Sequence, residues 1–166
     1  MTTLTRVENN KDIALVVMLA KEIWHQHFTP IIGIAQVEYM LDKFHSAAAI
    51  AEQLDEGWQY YLAMLDGHSV GYTAVIPDIE NHRMMLSKLY VLQAARRQGV
   101  GKTVLDFIEQ KCRNDKIDTL WLTVNRGNAA PIDWYRKRGF EIVKEEVKDI
   151  GEGFVMDDYI MQKSIR

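Results

Sequence analysis

Apolar residues recur along this chain with two periods, one near 3.6 and one near 2, and each change of period marks a new element. Ile13, Val16, Val17, Ala20 and Ile23 fall at helical spacing, and Asn9 or Asn10 stands where an N-cap is needed. Pro30 is expected to end that helix, because the residue before a proline avoids the helical region. Residues 33–44 and 47–56 read as two further helices, the second opened by Ser46 with Ala47, Ile50, Ala51 and Leu54 on one face. Period 2 takes over at 59–65 and 69–76, and Asp66-Gly67-His68 between them carries a hairpin turn signal. Strands are also expected at 3–7, 84–91, 119–124, 141–147 and 155–162. A helix over 99–114 buries Val100, Val104, Leu105, Ile108 and Cys112, and a second has Pro131 in its first turn and Gly139 at its close. The alternation predicts an α/β (α+β) class with a mixed central sheet of about seven strands flanked by helices. No repeat, low-complexity tract or linker divides it, so residues 1–166 are read as a single domain.

Composition narrows the function. A chain of 166 residues, 48% hydrophobic, can bury a core without staples, and a single cysteine excludes an intrachain disulfide framework. No apolar run approaches ~18 residues, and the first residues show no apolar core of signal length, so a cytoplasmic protein without a membrane partner is expected. A net charge of -3 argues against nucleic acid as a partner and suits a cationic substrate.

The chemistry concentrates at Arg96-Arg97-Gln98-Gly99-Val100-Gly101-Lys102, where an apolar strand gives way to an amphipathic helix. A glycine-rich turn entering a helix points unpaired N–H groups at one spot, and the helix dipole adds positive character there. Gly99 and Gly101 admit close backbone approach, and Arg96, Arg97 and Lys102 can neutralise phosphate. The spacing is neither that of a nucleotide P-loop nor Gly-x-Gly-x-x-Gly, since position 104 is Val.

Arg96-x-x-Gly99-x-Gly101 after Leu89-Tyr90-Val91 resembles motif A of the GNAT superfamily of acetyl-CoA-dependent N-acetyltransferases. Leu120 to Asn125, Asn128-Ala129-Ala130-Pro131 and Trp134-Tyr135-Arg136-Lys137-Arg138-Gly139-Phe140 resemble its second block. The resemblance implies a single-domain GNAT fold in which the strand ending at Val91 splays from the strand ending at Val124 to admit the pantetheine arm. Backbone groups of Leu89, Tyr90 and Val91 would pair with that arm like an added strand. Pyrophosphate would meet the N–H groups from Arg97 through Gln98, Gly99, Val100, Gly101 and Lys102 to Thr103, beside Arg96. Asn125 and Asn128 would bind pantetheine, or end the strand and cap the helix. Tyr135 is the implied general acid for the departing thiolate, with packing over the cleft as the alternative.

Other residues carry weaker signals. The family's carboxylate on the strand before the cradle is replaced by Met84, Met85 and Leu86. Glu80 and His82 read mainly as solvated loop groups, and Lys88 as a strand-edge or cofactor-side residue rather than a base. His25 and His27 lie about 200° apart on a helix, the other histidines are isolated, and no metal is expected. Cys112 reads as a packed thiol, which favours direct transfer over a covalent enzyme intermediate. Residues 154–161, and loosely 24–40, resemble the PaiA-like branch, which acetylates polyamines such as spermidine. Asp157 and Asp158 fall on opposite strand faces and want either a cationic amine or an internal Arg or Lys. Trp24, Phe28 and Tyr39 read as core, with cation–π binding as the alternative. A small-molecule amine, a peptide amine, and a binding module without catalysis therefore stand as three readings. A homodimer rests on family analogy alone.

Overall fold

A computed structural model describes residues 1–165. In chain order the elements are β1 (Thr2–Arg6), α1 (Asn10–His27), α2 (Thr29–Ile32), α3 (Ile34–His45), α4 (Ala47–Asp55), β2 (Gln59–Leu65), β3 (His68–Asp78) and β4 (Arg83–Val91). A short 3-10 turn at Gln93–Ala95 leads to α5 (Val100–Asn114), β5 (Thr119–Asn125), α6 (Ala129–Lys137), β6 (Glu141–Gly151) and β7 (Phe154–Ser164). The strands form a seven-stranded mixed sheet in the order β1-β2-β3-β4-β5-β7-β6. Contacts group residues 1–77 with 87–108, and 78–86 with those from 109 onward. Strand β4 therefore contributes to both units.

In the first unit, β2 and β3 join through Asp66 and Gly67 at φ 51° and 84°, the paired left-handed geometry of a type I′ turn. Asn9 Oδ1 accepts from Asp12 N at 2.9 Å and caps α1, and Ser46 Oγ does the same for α4 from Ala49 N at 3.1 Å. Helix α1 buries Ile13, Val16, Leu19, Ala20, Ile23 and Trp24. Complete burial of Val16 and of Ile50 in α4 contributes about 1.5–3 kcal/mol each. Three expectations need correction. Helix α1 stops at His27, and Pro30 instead occupies the first turn of α2, where a missing N–H is harmless. Leu19 rather than Val17 completes the buried stripe of α1. On α4 the inward pair is Ile50 and Gln53, while Ala47 and Ala51 are exposed, because polar groups inside the unit bind the Gln53 amide.

In the second unit, β4 and β5 pair in parallel from Arg83↔Thr119 to Met85↔Trp121. Strand β7 inserts antiparallel between β5 and β6. The β6–β7 hairpin reaches further than alternation predicts, to Gly151↔Phe154, with two register shifts along it. Leu120, Leu122, Phe140 and Met161 fill the core on one sheet face. On that face Lys163 Nζ, at 3.0 Å from Glu109 Oε1, ties β7 to α5, and Cys112 Sγ meets Met84 Sδ at 3.7 Å.

Candidate active site

The turn after β4 adopts the conformation its sequence demands. Arg97 and Gly99 lie at φ 66° and 78°, so the chain reverses twice before α5 begins at Val100. A Cβ at Gly99 would meet nothing within 4 Å; conformation, not space, selects glycine there. Thr103 N donates to Gly99 O at 3.0 Å, the first helical bond of α5. The Thr103 N–H is thus committed to the helix and not to an anion, contrary to the expectation, and the N–H groups ahead of it remain the orphan donors of the first turn. Arg96, Arg97, Gln98 and Lys102 are exposed. Arg96 Nε lies 3.4 Å from Val91 O, Gln98 Nε2 lies 3.4 Å from Ala94 O, and Lys102 pairs with Asp106 at 2.9 Å across an exposed helix turn, a contact too weak to withhold its charge. These residues fit a phosphate-bearing group.

Leu89, Tyr90 and Val91 end β4, half-buried, against a neighbour that approaches unusually closely. A Cβ on Gly71 of β3 would sit 2.5 Å from Tyr90 O and 3.3 Å from Val91 Cα. Leu92 N is held by Val70 O at 2.8 Å. The Tyr90 ring packs among Trp24, Phe28, Tyr72 and His45, with centroids 5.5–6.2 Å away. Trp24 and Phe28 are thus core residues. His45 Nδ1 and Tyr72 OH lie 3.0 Å apart, and burial together with the Lys88 charge holds the His45 imidazole neutral, well below its usual range.

Lys88 is not a strand-edge residue, one of its two expected placements. It is buried, 5% exposed, on a central strand. Its amine donates to Phe44 O at 2.6 Å, to Gln53 Oε1 at 3.3 Å and to the Tyr60 hydroxyl, which itself donates to Gln53 Oε1. Burial lowers the amine to about 7 and raises the Tyr60 phenol. Alternation with Met84 and Leu86 was the available signal that this lysine points inward.

The second unit holds the remaining expected residues. Asn125 Oδ1 accepts from Gly127 N at 2.8 Å, an Asx turn that ends β5. Asn128 is buried and its side chain makes no capping bond, so capping is not its role. Tyr135 on α6 is buried between Trp134 and Phe140, at centroid distances of 5.1 and 5.3 Å. Its hydroxyl has no hydrogen-bond partner among the described residues, and burial raises its phenol above the ordinary value. His82 Nδ1 is 3.2 Å from Lys116 O in a loop, and Cys112 is a buried thiol pushed up to about 11 by burial. Among the described residues no three His, Cys, Asp or Glu side chains gather at metal-binding distance. None of their helices is long and apolar enough to cross a membrane.

A β-strand that hands its chain to an anion-ready helix start makes a site for a phosphate-bearing ligand. The chain belongs to the acetyltransferase (GNAT) family, whose model matches residues 20–140, and it is an acetyl-CoA-dependent N-acetyltransferase. It is 29% identical over 128 residues to N-alpha-acetyltransferase 50 of Danio rerio, covering 75% of this chain and 73% of that protein. PaiA N-acetyltransferase from Thermoplasma acidophilum, solved with coenzyme A, shares the fold at TM-score 0.81 and 19% identity over 99% of both chains. Ard1 from Thermoplasma volcanium shares it at TM-score 0.75 and 20% identity, over 99% of this chain and 98% of that one.

Proposed function

We propose that the protein acetylates a primary amine, with polyamines the first class to test, by direct transfer with Tyr135 as general acid. The bound cosubstrate would supply an activated acetyl group: a C–N bond forms to the neutral amine, which gives its surplus proton to water, the C–S bond breaks, and the electron pair left on sulfur takes the proton of Tyr135, which solvent then restores. The observation that carries the reading is the hydroxyl of the buried Tyr135, still protonated at neutral pH and not engaged by any described residue. A phenol in that condition holds a proton ready for an acceptor that develops negative charge beside it. The α5 start and its cations would hold the carrier's phosphates, and the end of β4 its pantetheine amides. Likeness to N-alpha-acetyltransferase 50 favours a second reading, in which a peptide α-amine is the acceptor.

Free-thiol release from acetyl-CoA, measured against polyamines, aminoglycosides and free N-terminal peptides, tests both. Release with spermidine supports the polyamine reading, and release with peptides alone transfers the role to the second. Tyr135→Phe should lower kcat about 10²-fold and leave acetyl-CoA affinity within twofold. Unchanged kcat would remove Tyr135 from the chemistry.

A further inference from the structure

Resting on the amine-acetylation reading, we propose that Asp158 is the anchor for the acceptor's ammonium group. Asn125, Asp158 and Glu146 stand directly opposite one another on β5, β7 and β6. Opposed residues of an antiparallel pair project to the same face, so the three side chains form one row. Asp158 is 6% exposed, yet its carboxylate has no hydrogen bond or ion pair among the described residues. A carboxylate stripped of water and left without a donor is costly, and a like charge directly opposite on Glu146 makes it costlier.

The neighbouring pair shows what an internally compensated site looks like. Arg126 Nη1 reaches Asp157 Oδ1 at 3.6 Å and Glu145 Oε2 at 3.3 Å, and its guanidinium lies over the Tyr159 ring at 5.2 Å. Arg126, itself exposed, thus serves Asp157 and not Asp158. Lys144 and Lys148 flank Glu146 on β6, but both are exposed and neither pairs with Asp158 or Glu146. Asn125 has its carboxamide oxygen committed to Gly127. Asp157 Oδ1 is sealed from solvent, whereas the oxygens of Asp158 keep a narrow opening to it. A nearly buried, uncompensated carboxylate on the sheet face opposite Lys163 and Glu109 is complementary to a primary ammonium carrying three donors.

Burial, Asp157 and Glu146 together raise the Asp158 carboxyl to about 6, so an arriving cation favours its ionised form. Affinity for a cationic amine should therefore fall as pH drops through 6; the other charged groups nearby on these strands are Asp157, Glu146, Arg126, Lys144 and Lys148.

The test is titration of spermidine into the CoA-loaded protein, for the wild type and Asp158→Asn, with thermal melting of both. The expected result is at least a tenfold loss of spermidine affinity in Asp158→Asn, with CoA affinity unchanged and melting temperature equal or higher. Glu146→Gln should lose less. Turnover of an arylamine that is uncharged at neutral pH should keep its KM in Asp158→Asn, which separates charge recognition from damage to the fold. Equal spermidine affinity in wild type and Asp158→Asn, or none in the wild type at millimolar concentration, would overturn the anchor. If spermidine binds through Asp158 but no amine is acetylated, the anchor stands and the catalytic reading falls. If amines are acetylated with the same KM by both proteins, the reverse holds.

Discussion

Lys88 shows how much one side chain can set against folding. Its amine titrates near 7 in the fold and near 10.5 when exposed, so between those values the unfolded chain binds the extra proton. Stability must then rise with pH across that window, by at most about 1.4 kcal/mol per unit. Below pH 7 the buried charge opposes folding by about 5 kcal/mol, a net figure that already includes its three acceptors. Urea unfolding of the wild type should give a midpoint that climbs from pH 7.5 to 9.5, and Lys88→Met should flatten the climb. Parallel slopes in the two proteins would show that Lys88 is not the group responsible. The same scale explains why Asp158 could not be resolved from Asp157 beforehand. Alternation assigns each residue a face, but the arginine that compensates one of them arrives from a different strand end.

At the level of elements, the capped helices and paired strands were legible because their signals are local. Asn9, Ser46 and the Asp66-Gly67 turn act within three residues of their own position. The cradle was legible for the same reason, since a left-handed glycine and a helix start are both chain-local. What escaped was set by partners distant in sequence. Gln53 turns α4 inward to reach Tyr60, and β6 lengthens because β7 continues beside it. Gly71 is the clearest case: nothing near it in the chain announces Tyr90. Gly71→Ala would force the β4 end away by overpacking, at about 1–3 kcal/mol. The expected signature is a lower melting temperature together with a raised KM for acetyl-CoA and a kcat within threefold of the wild type. A melting loss with unchanged KM would show that the end of β4 does not position the carrier.

For the whole molecule, charge is distributed against its own average. The chain carries a net -3, yet Arg96, Arg97 and Lys102 gather exposed at one helix start. Binding that depends on such exposed cations is screened by salt. Affinity for acetyl-CoA should fall severalfold between about 0.05 M and 0.5 M sodium chloride, whereas Tyr135→Phe should show the same salt slope as the wild type. Affinity indifferent to salt would place the phosphates elsewhere. Family membership was visible at this scale because the cradle and the second block occur in the right order. The acceptor was not, since no single stretch of chain encodes it.

The sulfur of Cys112 gives the protein an internal gauge. A disulfide reagent used to read coenzyme release also attacks protein thiolates. The single cysteine of this chain is enclosed against Met84 and titrates near 11, so at pH 8 the native enzyme contributes almost no colour of its own. One equivalent should appear on adding guanidinium. Colour developing with enzyme alone, before acetyl-CoA is added, therefore counts the molecules that have lost their fold, and the activity assay doubles as a census of native enzyme.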